Sequence, residues 1–209
     1  GMLWQHGYFR QEIGIQGDQQ ALYPVNDTRQ LPVAPLLRPD GSLLRLSVQL
    51  PGLTVWVRGW QATVGHNKLL LLDFNDPANP SPMRLITAEL YGGDAEMRLR
   101  QEMVLGIGGW RLLEAAGYTP DVCHLNDGHA AFAVLERARS YMQANKVGFD
   151  VAMTATRAGN VFTTHTPVEA GFDRFPPELI GKYLGRYVET ELGQPLSAIL
   201  ALGRQNADD

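Results

Sequence analysis

Two short strand-like runs, Asp121 to Leu125 and Val161 to Thr164, each give way to a polar loop and then to apolar residues at helical spacing. After the first, Ala131, Val134, Leu135, Ala138, Tyr141 and Met142 recur on one helix face. After the second, Leu179, Ile180, Tyr183, Leu184, Tyr187 and Val188 do the same. Strands separated by a helical crossover pair in parallel, so the pattern predicts an α/β chain with helices covering a parallel sheet. Ligands of such sheets lie outside the carboxyl ends of the strands, which directs attention to residues 126–129 and 165–173.

Upstream the period changes from helical to two. Leu44, Leu46, Val48 and Leu50 alternate with Arg45, Ser47 and Gln49, and Pro51-Gly52 turns the chain. Val55 and Val57 then oppose Trp56 and Trp60, and Gly65-His66-Asn67 leads into a third run from Lys68 to Phe74, which predicts a β meander. Pro77, Pro80 and Pro82 mark a loop. Asp94 is placed to cap a helix that runs to about Ala116 and is stopped by Gly117 and Pro120. The chain thus divides into a β-rich part, 1–82, and a βα part, 83–209, expected to pack as one compact unit.

With 44% apolar and 19% charged residues in 209, the chain belongs with ordinary globular proteins. A net charge of −4 without a Lys/Arg cluster gives nucleic acid or anionic lipid no electrostatic foothold, so neither is expected as a partner. The longest apolar run, Leu69 to Leu72, is far short of the roughly 20 residues that span a bilayer. A lone Cys123 excludes an intrachain disulfide and fits a reducing compartment, with the cytoplasm as the expectation. Gly1-Met2 reads as a cloning scar before a start codon with no signal peptide after it. The aromatic, glycine-punctuated stretch from Leu3 to Arg10 suggests that the natural chain begins earlier.

Several constellations carry chemistry. Asn126, Asp127 and His129 set an amide, a carboxylate and an imidazole at a strand end, which suits sugar hydroxyls; Asp127 equally suits a helix cap. His165 precedes Thr166-Pro167, a stiffened presentation of the imidazole, and reads as either structural or catalytic. His124 is expected to face the core. Cys123 reads as a small hydrophobe more readily than as a nucleophile paired with His129 or His165. His124, His129 and Cys123 lack a recognised metal-ligand spacing, so no metal is expected. Gly106-Ile107-Gly108-Gly109 lies inside a helical pattern, where close helix packing explains it better than a dinucleotide loop. Arg98, Arg100 and Arg111 with Glu96, Glu102 and Glu114 read as a solvated face of charge pairs.

Four ordered blocks go further. Leu90 to Asp94 (LYGGD), Arg98 to Gly109 (RLRQEMVLGIGG), Cys123 to Phe132 (CHLNDGHAAF) and Val161 to Pro177 (VFTTHTPVEAGFDRFPP) resemble motifs of the bacterial and archaeal type of α-glucan phosphorylase. The opening GYFRQ and closing LALGR fit as well, and the resemblance is that of an internal fragment of the family's N-terminal domain. It implies part of a Rossmann-like domain of the GT-B glycosyltransferase kind. Such enzymes pass a terminal α-1,4-linked glucose to phosphate with retention, giving α-glucose 1-phosphate, and use pyridoxal phosphate in a domain with no counterpart here.

By resemblance, His165 would hold the reacting glucose as the catalytic-site residue. Asn126, Asp127 and His129 would meet the glucan, with Tyr91 and Asp173 in flanking loops. Phe172 and Glu169 depart from the family, where a polar residue and Pro are common. The chain is therefore expected to bind α-1,4-glucan or maltooligosaccharide, to hold no cofactor, to be inactive alone, and to self-associate through surfaces left by the missing domain. Two other classes stand beside this. A carbohydrate-binding or regulatory module would use the same residues without chemistry, and a nucleotide-sugar transferase of GT-B type would bind UDP- or ADP-glucose.

Overall fold

A computed structural model describes residues 1–90, 92–166, 168 and 171–204. The chain forms two compact units: Gly1–Val48 with Val55–Gln101, and Gln49–Thr54 with Glu102 onward. It is mixed α and β, with a parallel strand pair in the second unit.

The first unit begins with an antiparallel hairpin, β1 (Arg10–Ile13) and β2 (Gln19–Leu22). Every residue of the two strands is exposed, so no burial alternation announces them in the sequence. A short β3 (Ala34–Pro35) and then β4 (Arg45–Leu50), β5 (Leu53–Val64) and β6 (Asn67–Asp73) make a four-stranded sheet. This is the expected meander. Gly52 (φ 76°) and Gly65 (φ 60°) supply the left-handed turn residues that join its strands. As alternation predicts, Val55 and Val57 are fully buried, whereas Trp56 faces outward under the Arg45 guanidinium, 4.9 Å from its ring centroid. The amino-terminal residues are also fixed: Leu3 N–H donates to Leu72 O (2.8 Å) and Leu72 N–H to Gly1 O (2.9 Å).

The proline loop after β6 is ordered by its own side chains. Asn79 Oδ1 accepts from Trp56 N–H (2.7 Å), and its Nδ2 donates to Trp56 O (2.7 Å) and Phe74 O (2.9 Å). Buried Asp73 accepts from Arg58 (2.6 Å) and from the Trp60 indole (3.0 Å). A single turn, α1 (Ser81–Arg84), follows, and then α2 (Ala95–Met103). Asp94 caps α2 as expected, its Oδ1 accepting from Met97 N–H at 2.9 Å.

The predicted helix from Asp94 to Ala116 is interrupted: Val104–Gly108 is a π-helical turn between α2 and α3 (Gly109–Ala115). Gly117, at φ 83°, ends α3 where the sequence places the stop. The charge-pair reading of this helix holds for Arg100 and Glu96 (2.8 Å), whereas the solvated-face reading does not extend to its later residues. Glu102 is buried, and Arg111 reaches across to Glu136 on the next helix. The extra backbone residue of a π turn shifts the helix faces, which a uniform helical wheel cannot register.

In the second unit, β7 (Cys123–Asn126) precedes a 3-10 turn (Gly128–Ala130), α4 (Phe132–Asn145) and α5 (Phe149–Arg157). Next come β8 (Asn160–Thr163), α6 (Pro177–Glu191) and α7 (Leu196–Leu202). The repeated βα reading is met, and β7 and β8 pair in parallel. The covering of that sheet departs from expectation. Val161 and Phe162, on opposite faces of β8, are 45% and 57% exposed, whereas parallel sheets are ordinarily buried on both faces. Gly106 bears out the packing reading: a Cβ there would lie 2.7 Å from Ala133 N and 2.8 Å from Phe132 Cβ.

Candidate functional site

The register of β7 and β8 runs from Cys123 opposite Asn160 to Asn126 opposite Thr163, and Asp127 N–H continues the ladder to Thr163 O at 2.8 Å. Both strands therefore release the chain at the same end. Their loops meet there. Asp127 Oδ1 accepts the backbone N–H of His165 (2.7 Å), and Asn126 Oδ1 lies 3.0 Å from His165 Nε2. An amide oxygen can only accept, so Nε2 carries the proton and Nδ1 of a neutral ring is left as an acceptor.

This geometry rules out the capping reading of Asp127. Its side chain makes no capping bond to the turn that follows; it crosses to the other loop instead. Its backbone, at φ 56° and ψ −173°, is in a conformation that L residues rarely adopt. His124 corrects an expectation too. It is exposed, not core-facing, with Nε2 2.7 Å from Thr163 Oγ1. Strand alternation explains this: Leu125 takes the inward face, so His124 and Asn126 share the outward one.

His129 and Asp173 come together with a residue that the helix-face reading had assigned to solvent. One ligand-type atom each from Glu102, His129 and Asp173 lies within 4.8 Å of the others, with Glu102 buried and Asp173 exposed. Glu102 Oε1 is 4.0 Å from His129 Nδ1. One nitrogen and two carboxylate oxygens are a donor set that a divalent cation takes, and equally one that grips sugar hydroxyls. The sequence signal for Glu102 would have been its place just before the glycine-rich stretch. Tyr91 lies outside the described residues, as do Pro167 and Glu169. Phe172 is 48% exposed.

Cys123 is half-buried at the start of β7, the end away from these loops. Desolvation pushes its thiol above the ordinary value, which disfavours the thiolate a nucleophile requires. The packing reading stands.

A βα unit that gathers amide, carboxylate and imidazole groups at the carboxyl ends of parallel strands places them where ligands of α/β sheets ordinarily lie. Comparison with known proteins makes this specific, although no family model matches the sequence. The chain is 40% identical to the maltodextrin phosphorylase of Thermococcus litoralis over 98% of its own length and 24% of that protein's. It is 40% identical to the glycogen phosphorylase of Mycobacterium tuberculosis over 99% of its length and 25% of that protein's. With the glycogen phosphorylase of Aquifex aeolicus it shares 31% identity over its whole length and 30% of that protein's. The sequence is that of a segment of the glycogen and maltodextrin phosphorylase family, and the chain spans about a quarter of the length of these first relatives.

Proposed function

We propose that the chain forms the glucan-binding side of a retaining α-1,4-glucan phosphorylase active site, built on part of a GT-B-type Rossmann-like domain, and that it turns over no substrate by itself. The observation that carries this reading is the double hold on His165, whose backbone and ring are both gripped by the loop of the neighbouring strand. Phosphorolysis passes through an oxocarbenium-like centre and asks for a rigidly placed sugar and fixed dipoles, not for a protein nucleophile. In this scheme the Nδ1 and backbone carbonyl of His165 accept from hydroxyls of the reacting glucose. Asn126 and His129 meet the adjoining glucose, Asp127 serves the same sugar site from the loop that holds His165, and Asp173 and Tyr91 flank the cleft.

In the family, pyridoxal phosphate supplies a phosphate group that exchanges a proton with the substrate phosphate. The lysines of this chain do not fit that cofactor. Lys68, Lys146 and Lys182 are all exposed, and Lys182 lies against the Tyr183 ring at 5.4 Å, so none offers a buried amine for an imine. Binding without chemistry is therefore the expectation for the isolated chain, in the reducing cytoplasmic setting that a single free cysteine fits.

The chain incubated with maltodextrin, phosphate and pyridoxal phosphate is expected to release no glucose 1-phosphate. Calorimetric titration with maltoheptaose is expected to give a Kd of about 1 mM, roughly 4 kcal/mol. Turnover at an enzyme-like rate, or binding of UDP-glucose in place of maltoheptaose, would sink the proposal. Self-association belongs to the same reading. The face of β8 that carries Phe162 is expected to drive concentration-dependent dimerisation in sedimentation runs, and Phe162→Glu to leave the chain monomeric at the same concentration. Equal sedimentation of the two proteins would refute that surface.

A further inference from the structure

We infer that Asp127 is a positioning residue, whose carboxylate acts on the sugar through His165 by fixing where that imidazole points. The inference deepens the proposed function and rests on it for the identity of the sugar.

Asp127 occupies backbone space that glycine takes without cost, at φ 56° and ψ −173°, and its neighbour Gly128 shows that glycine is tolerated next to it. If only the shape of the turn mattered, glycine would serve at 127 as well. A side chain kept there must therefore do something, and its hydrogen bond shows what. Oδ1 accepts the His165 amide at 2.7 Å, across 38 residues of sequence, while the Asp127 amide donates to Thr163 O at 2.8 Å. Asp127 thus binds the chain leaving β8 on both sides of Thr164.

The side chain before it completes the arrangement. Asn126 Oδ1 lies 3.0 Å from His165 Nε2, so consecutive residues hold the backbone and the ring of one histidine. With the amide fixed by a charge-assisted bond and Nε2 committed to Asn126, the ring's remaining nitrogen has one direction. The strained backbone of Asp127 brings its carboxylate to the other loop, and the ordinary extended conformation would aim it elsewhere.

The test separates stability from positioning. Asp127→Gly removes the clamp while relieving the backbone, so it is expected to melt no lower than the parent chain. Asp127→Asn keeps an acceptor oxygen and serves as the rescue. In ¹⁵N NMR of His165 in the 209-residue chain, the parent and Asp127→Asn are expected to show a protected amide and one ring tautomer, protonated at Nε2. Asp127→Gly is expected to show a rapidly exchanging amide and mixed tautomers, with maltoheptaose affinity reduced about tenfold, the size of one charge-assisted hydrogen bond.

An unchanged His165 spectrum in Asp127→Gly overturns the inference. So does an equal loss of affinity in Asp127→Asn and Asp127→Gly with His165 unmoved, which would make Asp127 a direct sugar contact. A parent chain that binds no maltoheptaose defeats the proposed function alone, because the His165 spectra still decide whether the clamp exists.

Discussion

Glu136→Ala is expected to lower the unfolding free energy by about 3–5 kcal/mol, the cost of taking the buried partner out of an ion-pair network. Glu136 is wholly buried on α4 and holds three neighbours. Its Oε1 accepts from Arg111 Nε (2.7 Å) and Arg139 Nε (2.7 Å). Its Oε2 accepts from Arg111 Nη2 (3.2 Å) and the Tyr187 hydroxyl (2.9 Å). One carboxylate thereby joins α3, α4 and α6, with Arg139 11% and Arg111 24% exposed.

Burial first, and then the charge of Glu136, hold the Tyr187 hydroxyl well above the usual phenol range, so it stays a donor to the carboxylate. Alanine would take the carboxylate from the Arg111 guanidinium and leave Arg139 with Glu191 alone, at 3.5 Å, and neither arginine can lose its proton. Glu136→Gln keeps one acceptor oxygen for the arginines and puts an NH2 donor at the other position, from which the Tyr187 hydroxyl can accept, and it is expected to lose about half as much because the remaining bonds cease to be charge-assisted. Urea denaturation followed by circular dichroism measures both. A loss below about 1 kcal/mol for Glu136→Ala would mean that water reaches the arginines and that the network is worth no more than a surface pair.

This network also marks where sequence reasoning stops. Alternation at Leu44 to Leu50 and at Val55 and Val57, the Asp94 cap and the Gly117 stop are local facts written in neighbouring residues, and the structure reproduces them. The strand, loop and helix rhythm placed Asn126, Asp127 and His165 at one sheet end for the same reason. Arg111 and Glu136, in contrast, are 25 residues apart, and their pairing depends on how α3 lies against α4.

The helix-face reading sent Arg111 and Glu102 to solvent because it assumed an unbroken 3.6-residue period through Val104–Gly108, where the backbone makes a π turn. The β1 and β2 hairpin was illegible because no face of it is buried. α5 is a short helix whose signal in the sequence is weak, with Phe149 and Ala152 buried on one face and Gly148 before it. Asp127 was legible as a polar residue at a strand end. Its choice between capping its own turn and reaching His165 was not, since both leave the same sequence.

Gly106 is where the π turn, the packing and the site come together, and a single methyl group there is expected to be as damaging as a typical large-to-small change in the core. A Cβ at Gly106 would meet Ala133 N at 2.7 Å, Phe132 Cβ at 2.8 Å and the Phe132 carbonyl carbon at 2.9 Å. Two of these atoms are backbone, so no rotamer change can make room, and the π turn must part from the start of α4. Gly106→Ala is accordingly expected to cost about 3 kcal/mol, and Gly106→Val more.

The control lies in the same unit. Gly185 is inside α6 with nothing within 4 Å of its Cβ position, so Gly185→Ala is expected to stabilise by about 0.5–1 kcal/mol through helix propensity. The same chemical change thus carries opposite signs at two helical glycines, which thermal melts of both variants can check. Because His129 lies three residues before Phe132, pushing the start of α4 outward also moves the imidazole away from Glu102 and Asp173. Gly106→Ala should therefore weaken maltoheptaose binding at temperatures where the variant is still folded. Unchanged affinity together with a lowered melting temperature would place the tight approach in the packing alone and remove His129 from the glucan site.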